Sequence, residues 1–147
     1  MPNDDPTAYK PITWNPIFEM GHSAIDDDHR SLIEKTNTLL EMIAVDSGIE
    51  SGRIISLVQV MREECYQHFA SEEQVMKTLS FAGVNEHVKE HRRVEEVIDG
   101  FLDRLRELPE WGTEFREHVL AFRMCLLDHM LRYDLKYKSH FMNEAGY

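Results

Sequence analysis

The stretch VNEHVKEHRRVEEVIDGFLDRL, residues 84–105, decides the fold. Val84, His87, Val88, His91, Val94, Ile98, Phe101, Leu102 and Leu105 recur at intervals of three and four, which places them on one face of an α-helix over about Val84–Leu108, and Pro109 stops it. Two members of this otherwise apolar stripe are histidines. A polar side chain facing a core must find a partner or cost several kcal/mol. His87 and His91 stand four apart, roughly 6 Å along one face, so both rings can point at one site.

Three other segments carry the same helical period. From about Ser23 to Val45 the stripe is Ile25, His29, Leu32, Ile33, Thr36, Leu39, Leu40 and Ile43; Ser23 and Asp26 resemble a capping box, and Asp46, Ser47 and Gly48 break the helix. From about Ser51 to Thr78 it is Ile54, Leu57, Val58, Met61, Cys65, His68, Glu72 and Val75 or Met76, followed by a turn at Phe81, Ala82 and Gly83. From about Thr113 to Asp134 it is Phe115, His118, Phe122, Cys125, Leu126, His129 and Met130. Four helices of similar length joined by short turns pack antiparallel to their neighbours. The expected fold is an all-α, up-down-up-down four-helix bundle, as a single domain over 1–147, with an irregular, proline-containing N-terminal arm (1–22), the bundle at about 23–134 and a short C-terminal extension.

Composition narrows the function. Sixteen Lys and Arg against 27 Asp and Glu give a formal charge of −11, which argues against nucleic acid and against an anionic membrane surface. No apolar run approaches the length of a membrane span, and residues 1–10 lack the basic start and apolar run of a secretory signal. Two cysteines, Cys65 and Cys125, cannot build a disulfide framework, so a reducing, cytoplasmic location is expected.

The polar residues on or just beyond the four stripes are His29, His68, Glu72, His87, His91, His129 and Asp134. Any one of these histidines is more readily explained as a core residue bonded to a carbonyl. Five together with two acids are not. Nitrogen and oxygen donors without thiolate suit a hard or borderline transition metal of octahedral preference, and seven exceed what one ion needs, so the set suits two iron ions with shared carboxylates. Zinc fits poorly, since its closed sites take four ligands and its open sites three, and HExxH is missing. The ferritin-like arrangement fits poorly too, because it needs ExxH on two helices and only Glu19–His22 has that spacing.

These stretches resemble the hemerythrin family, and its single-domain bacterial members in particular. The likeness is carried by Trp14–Gly21, by IDDDH ending at His29, HFASEEQVM from His68, HVKEH from His87 and HMLRYD from His129, and it covers nearly the whole chain. The resemblance implies that His87, His91 and His129 hold one iron, that His29 and His68 hold the other, and that Glu72 and Asp134 bridge them beside an oxo or hydroxo group. The half with two histidines would keep one position open for dioxygen as ligand. The implied function is reversible dioxygen binding for storage, transport or delivery, with the irons cycling between Fe2+ and Fe3+, and with no enzymatic role.

The wall of the oxygen pocket would be Leu32, one turn beyond His29, Phe69, next to His68, and Leu126, one turn before His129; the same residues would serve as ordinary core. Where the resemblance leads one to expect tryptophan beside the pocket, immediately before that leucine, the chain has Cys125, which would join the pocket wall, open space there and place a thiol near the site; the plainer reading of Cys65 and Cys125 is two small buried hydrophobes. Glu73 is turned by about 100° from Glu72 toward solvent, and Asp26 and Asp28 read as acids favoured by the start of a helix. The competing functions are a di-iron enzyme that consumes oxygen, peroxide or nitric oxide, and an iron-holding protein. Sensing fits less well, because this length leaves no room for an output domain. The identity of any oxygen-accepting partner and the oligomeric state are not legible.

Overall fold

The computed structural model describes residues 11–44, 51–107, 113–134 and 138. A short 3-10 turn, Pro16–Phe18, precedes four helices: α1 (Ser23–Ala44), α2 (Ser51–Thr78), α3 (Val84–Glu107) and α4 (Thr113–Asp128). The chain then changes winding and continues as a π-helical turn, His129–Asp134. The principal packing runs round the bundle, α1 on α2, α2 on α3, α3 on α4 and α4 back on α1, so neighbours in sequence are neighbours in space. The fold is the expected all-α four-helix bundle. Among the described residues no helix is long and apolar enough to cross a membrane. The helix break at 46–48, the stop at Pro109, the side chain of Phe115 and the C-terminal extension lie outside the described residues.

The expected stripes supply most of the core, although Leu57, Val84, Val88, His118 and Cys125 are only half-buried and Val119, outside the expected stripe, is buried. On α1 all eight stripe residues are buried, and on α2 Met76 rather than Val75 turns inward. Apolar burial is split in two. A larger cluster joins Leu32, Leu39, Ile43, Ile54, Met61, Phe69, Ile98, Phe122 and their neighbours, and a smaller one of Met20, Ile25 and Met76 closes the other end, with Phe81 and Val84 against it. Between Ile25 and Leu32 on α1 the buried residue is His29, and between Phe69 and Met76 on α2 they are Glu72 and Glu73. A polar layer therefore lies between two apolar ones.

Local chemistry fixes the ends. α1 departs from the expected Ser23 capping box: the Ile25 amide donates to Nδ1 of His22 (3.4 Å), while the Asp26 carboxylate accepts from the Met20 amide (2.6 Å). His22 is the cap and Asp26 ties down the arm. Further along, Asn37 clamps the arm to α1, its Oδ1 accepting from the Ile12 amide (2.7 Å) and its amide donating to the Ile12 carbonyl (2.9 Å). Trp14 stacks at a tilt on Phe18, and Arg30 covers the indole.

After Thr78 the chain closes α2 with two reversed bonds, Ser80 amide to the Lys77 carbonyl and Phe81 amide to the Met76 carbonyl. Ser80 adopts φ 54°, the left-handed conformation this terminator requires and glycine adopts most easily. Phe81 then reaches back to the Met76 cluster, the apolar contact that usually accompanies the motif. Ser80→Gly should raise stability by roughly 0.5–1 kcal/mol, since relief of side-chain strain exceeds the extra entropy glycine loses on folding. Urea unfolding with an unchanged slope checks it; a loss of stability would show that Ser80 is not strained.

Candidate metal centre

Each element contributes to the polar layer. α1 supplies His29, α2 supplies His68 and Glu72, α3 supplies His87 and His91, and the π turn supplies His129 and Asp134. All seven are buried. The last pair needs explanation, because on an α-helix residues five apart point about 140° away from each other. The expected α-helix through Asp134 is therefore corrected: winding by i→i+5 bonds brings Asp134 back over His129. Oδ1 of Asp134 lies 3.3 Å from Nε2 of His129.

The two carboxylates each divide their oxygens between two groups of imidazoles. Oε1 of Glu72 faces Nε2 of His87 (2.8 Å) and of His91 (3.1 Å), whereas its Oε2 faces Nε2 of His68 (3.1 Å) and of His29 (3.9 Å). Asp134 does the same: Oδ1 is 3.1 Å from Nε2 of His87, and Oδ2 is 3.3 Å from Nε2 of His29. His29 and His68 face each other Nε2 to Nε2 at 3.0 Å. Donor atoms thus gather as Glu72, His87, His91, His129 and Asp134 on one side and His29, His68 and Glu72 on the other.

Three acids stand behind the imidazoles. Nδ1 of His68 donates to Oδ2 of Asp28 (3.0 Å), Nδ1 of His91 donates to Oε2 of Glu73 (2.9 Å), and Oε1 of Glu90 is 4.0 Å from Nδ1 of His129. Glu73 is not turned to solvent as its place beside Glu72 suggested. It is 7% exposed because α3 covers it with His91 and Arg92. Nor is Asp28 only a helix-terminal acid. The sequence signal for both was the second ring nitrogen of a buried histidine, which needs an acceptor.

Of the expected pocket wall, Phe69 meets the layer directly, stacked on His91 at 4.1 Å and tilted against His129 (5.3 Å) and His68 (5.9 Å). Leu32 and Leu126 belong to the larger apolar cluster next to it. Cys125 is half-buried beside the Arg93 guanidinium, and burial still pushes its thiol up; the wholly buried Cys65 is pushed up further. Neither is a reactive thiolate at neutral pH.

A family model described as the hemerythrin HHE cation binding domain matches residues 20–141. The chain belongs to the hemerythrin family. Among characterised hemerythrins it is 24% identical to myohemerythrin of Theromyzon tessulatum over 130 residues, 88% of this chain and 93% of that one. It is 28% identical to hemerythrin subunit 2 of Golfingia vulgaris (88% and 92% covered) and 23% identical to bacteriohemerythrin of Clostridium acetobutylicum (86% and 98% covered).

The polar layer of this hemerythrin chain fits a cation on its own geometry. Oε2 of Glu72, both oxygens of Asp134 and Nε2 of His129 are buried without a hydrogen bond. Such atoms are costly unless something positive lies among them. Protons can play that part in the metal-free chain. Burial is the largest influence on His68 and opposes its charge, yet the facing carboxylates of Asp28 and Glu72 outweigh it and push the imidazole up to about 10; the carboxylates of Asp134 and Glu72 likewise outweigh burial at His87 and push it up to about 9. Burial and the charge of Asp134 raise Glu72, and burial raises Asp134, but the surrounding imidazoles hold both carboxyls below their ordinary range.

The signs set the stability of the metal-free chain. Glu72 and Asp134 contribute above their ordinary 4.5 and 3.8 and lose that contribution as pH falls, whereas His68 and His87 contribute fully below 6.5 and lose it as pH climbs toward 9 and 10. Its melting temperature should therefore peak between about pH 4.5 and 6.5 and decline toward pH 10. Melting curves across that range check this; a temperature rising steadily from pH 6.5 to 9 would contradict it.

Proposed function

We propose that this chain binds dioxygen reversibly at a non-haem di-iron centre, acting in oxygen storage, transport or delivery and not as an enzyme. The observation that carries the reading is the division of the Glu72 and Asp134 oxygens between three imidazoles on one side and two on the other. His87, His91 and His129 would hold one iron, His29 and His68 the other, and the two carboxylates would bridge them. If each ion took six ligands and the two shared an oxo or hydroxo group, the unequal histidine count would leave one position free on the His29 and His68 side. Two ferrous ions held there would supply the two electrons that dioxygen takes up on binding and gives back on release.

The chain's own part is to hold the donors and keep the site dry. Phe69 covers three of the imidazoles, and Leu32 and Leu126 are at most 4% exposed, so water and external reductant meet a hydrocarbon wall. That environment favours release of oxygen over its loss as a reduced product. The reading places the protein in the cytoplasm, in keeping with its free cysteines.

Protein loaded anaerobically with ferrous iron should develop a visible absorption band on exposure to dioxygen and return to its starting spectrum under vacuum, over repeated cycles. Permanent oxidation after one exposure with release of peroxide would instead favour an oxygen-consuming enzyme. In His29→Ala the reversible band should fall at least tenfold, since one of only two imidazoles on the open side is gone.

A further inference from the structure

Two imidazoles of the layer hydrogen-bond outward to carboxylates, and the carboxylates are in different states. Glu73 is buried, and both its oxygens accept from Nη2 of Arg92 (2.7 and 2.9 Å), so Oε2 is shared between that guanidinium and Nδ1 of His91. Arg92 also reaches Glu95, which is itself buried. Asp28, behind His68, has a side chain 47% exposed and no arginine on it among the described residues.

We propose that Glu73, clamped by Arg92, is a positioning residue for His91, and that Asp28 plays the unclamped counterpart for His68, so that the outer shell distinguishes the two halves of the site as the inner one does. The inference rests on the di-iron reading above. A carboxylate that accepts from Nδ1–H fixes the tautomer whose Nε2 lone pair points inward, and it makes that nitrogen a stronger donor. In this chain Nε2 of His91 and of His68 both face Glu72. Arg92 draws charge off Glu73 and so weakens its push on His91, whereas Asp28 meets solvent and, among the described residues, no arginine. The exposed guanidinium holds a buried acid in one orientation and moderates it.

Opposite substitutions should therefore have opposite electronic effects. Glu73→Gln can keep an acceptor for Nδ1 but removes the charge. It should weaken ferrous-ion affinity by about 10- to 100-fold and raise the reduction potential, because the ferric state loses donor strength. Arg92→Gln leaves Glu73 ionised and unmoderated, and should lower the potential. Circular dichroism and melting of the metal-free variants establish that the bundle is intact, and Glu73→Asp supplies a second, charged variant if Glu73→Gln does not fold: its shorter reach should also weaken ferrous affinity.

The measurements are ferrous-ion titration and potentiometry on wild type and variants. Wild-type affinity and potential in Glu73→Gln, or a shift of the same sign in Arg92→Gln, would overturn the proposal alone. A wild-type chain that takes up no ferrous iron would overturn the di-iron reading with it.

Discussion

A layer of five imidazoles and two carboxylates crosses the middle of an otherwise apolar bundle, and the rest of the structure answers to it. Those groups are almost wholly shielded from water, yet several of their lone pairs have no hydrogen-bond donor. Apolar packing on either side secures the helices, with one cluster beneath and another above the layer. The layer itself contributes stability only when positive charge occupies it, whether as protons on His68 and His87 or as metal ions. Binding of a metal ion in this layer would therefore be coupled to folding.

Function follows from how the layer is divided. Glu72 and Asp134 each turn one oxygen to either side, which makes one site of two unequal parts rather than a symmetric cage. Phe69 packs against imidazoles from both parts and closes the apolar side. The outer acids extend the inequality, since Glu73 is buried under an arginine while Asp28 is half open to solvent. Donor count and outer charge thus both distinguish the two parts, while the hydrocarbon wall is common to them.

The helices and their inward faces were legible because a 3.6-residue period repeats over many turns, and one misplaced residue cannot hide it. On α1 the reading reached every stripe residue from Ile25 to Ile43. The seven polar residues stood out because each lies on such a stripe or, like Asp134, just beyond its end. What escaped depended on other elements. Glu73 reads as a surface acid until α3 is laid over it, and Asp28 acquires a role only when α2 brings His68 alongside. The π turn escaped for a different reason: HMLRYD has no breaker, and its winding follows from placing His129 and Asp134 on one site against ordinary α-helical geometry. Ser80 in a position suited to glycine, and His22 in place of Ser23 as cap, were choices among local alternatives that periodicity does not rank.

The central claim is that these seven side chains form one site for two ions. Crystals grown with ferrous iron under anaerobic conditions, measured at the iron absorption edge, test it most directly. The account predicts two anomalous peaks, one among His87, His91 and His129 and one beside His29 and His68, with Glu72 and Asp134 between them. A single peak, or iron bound away from the layer, would contradict it.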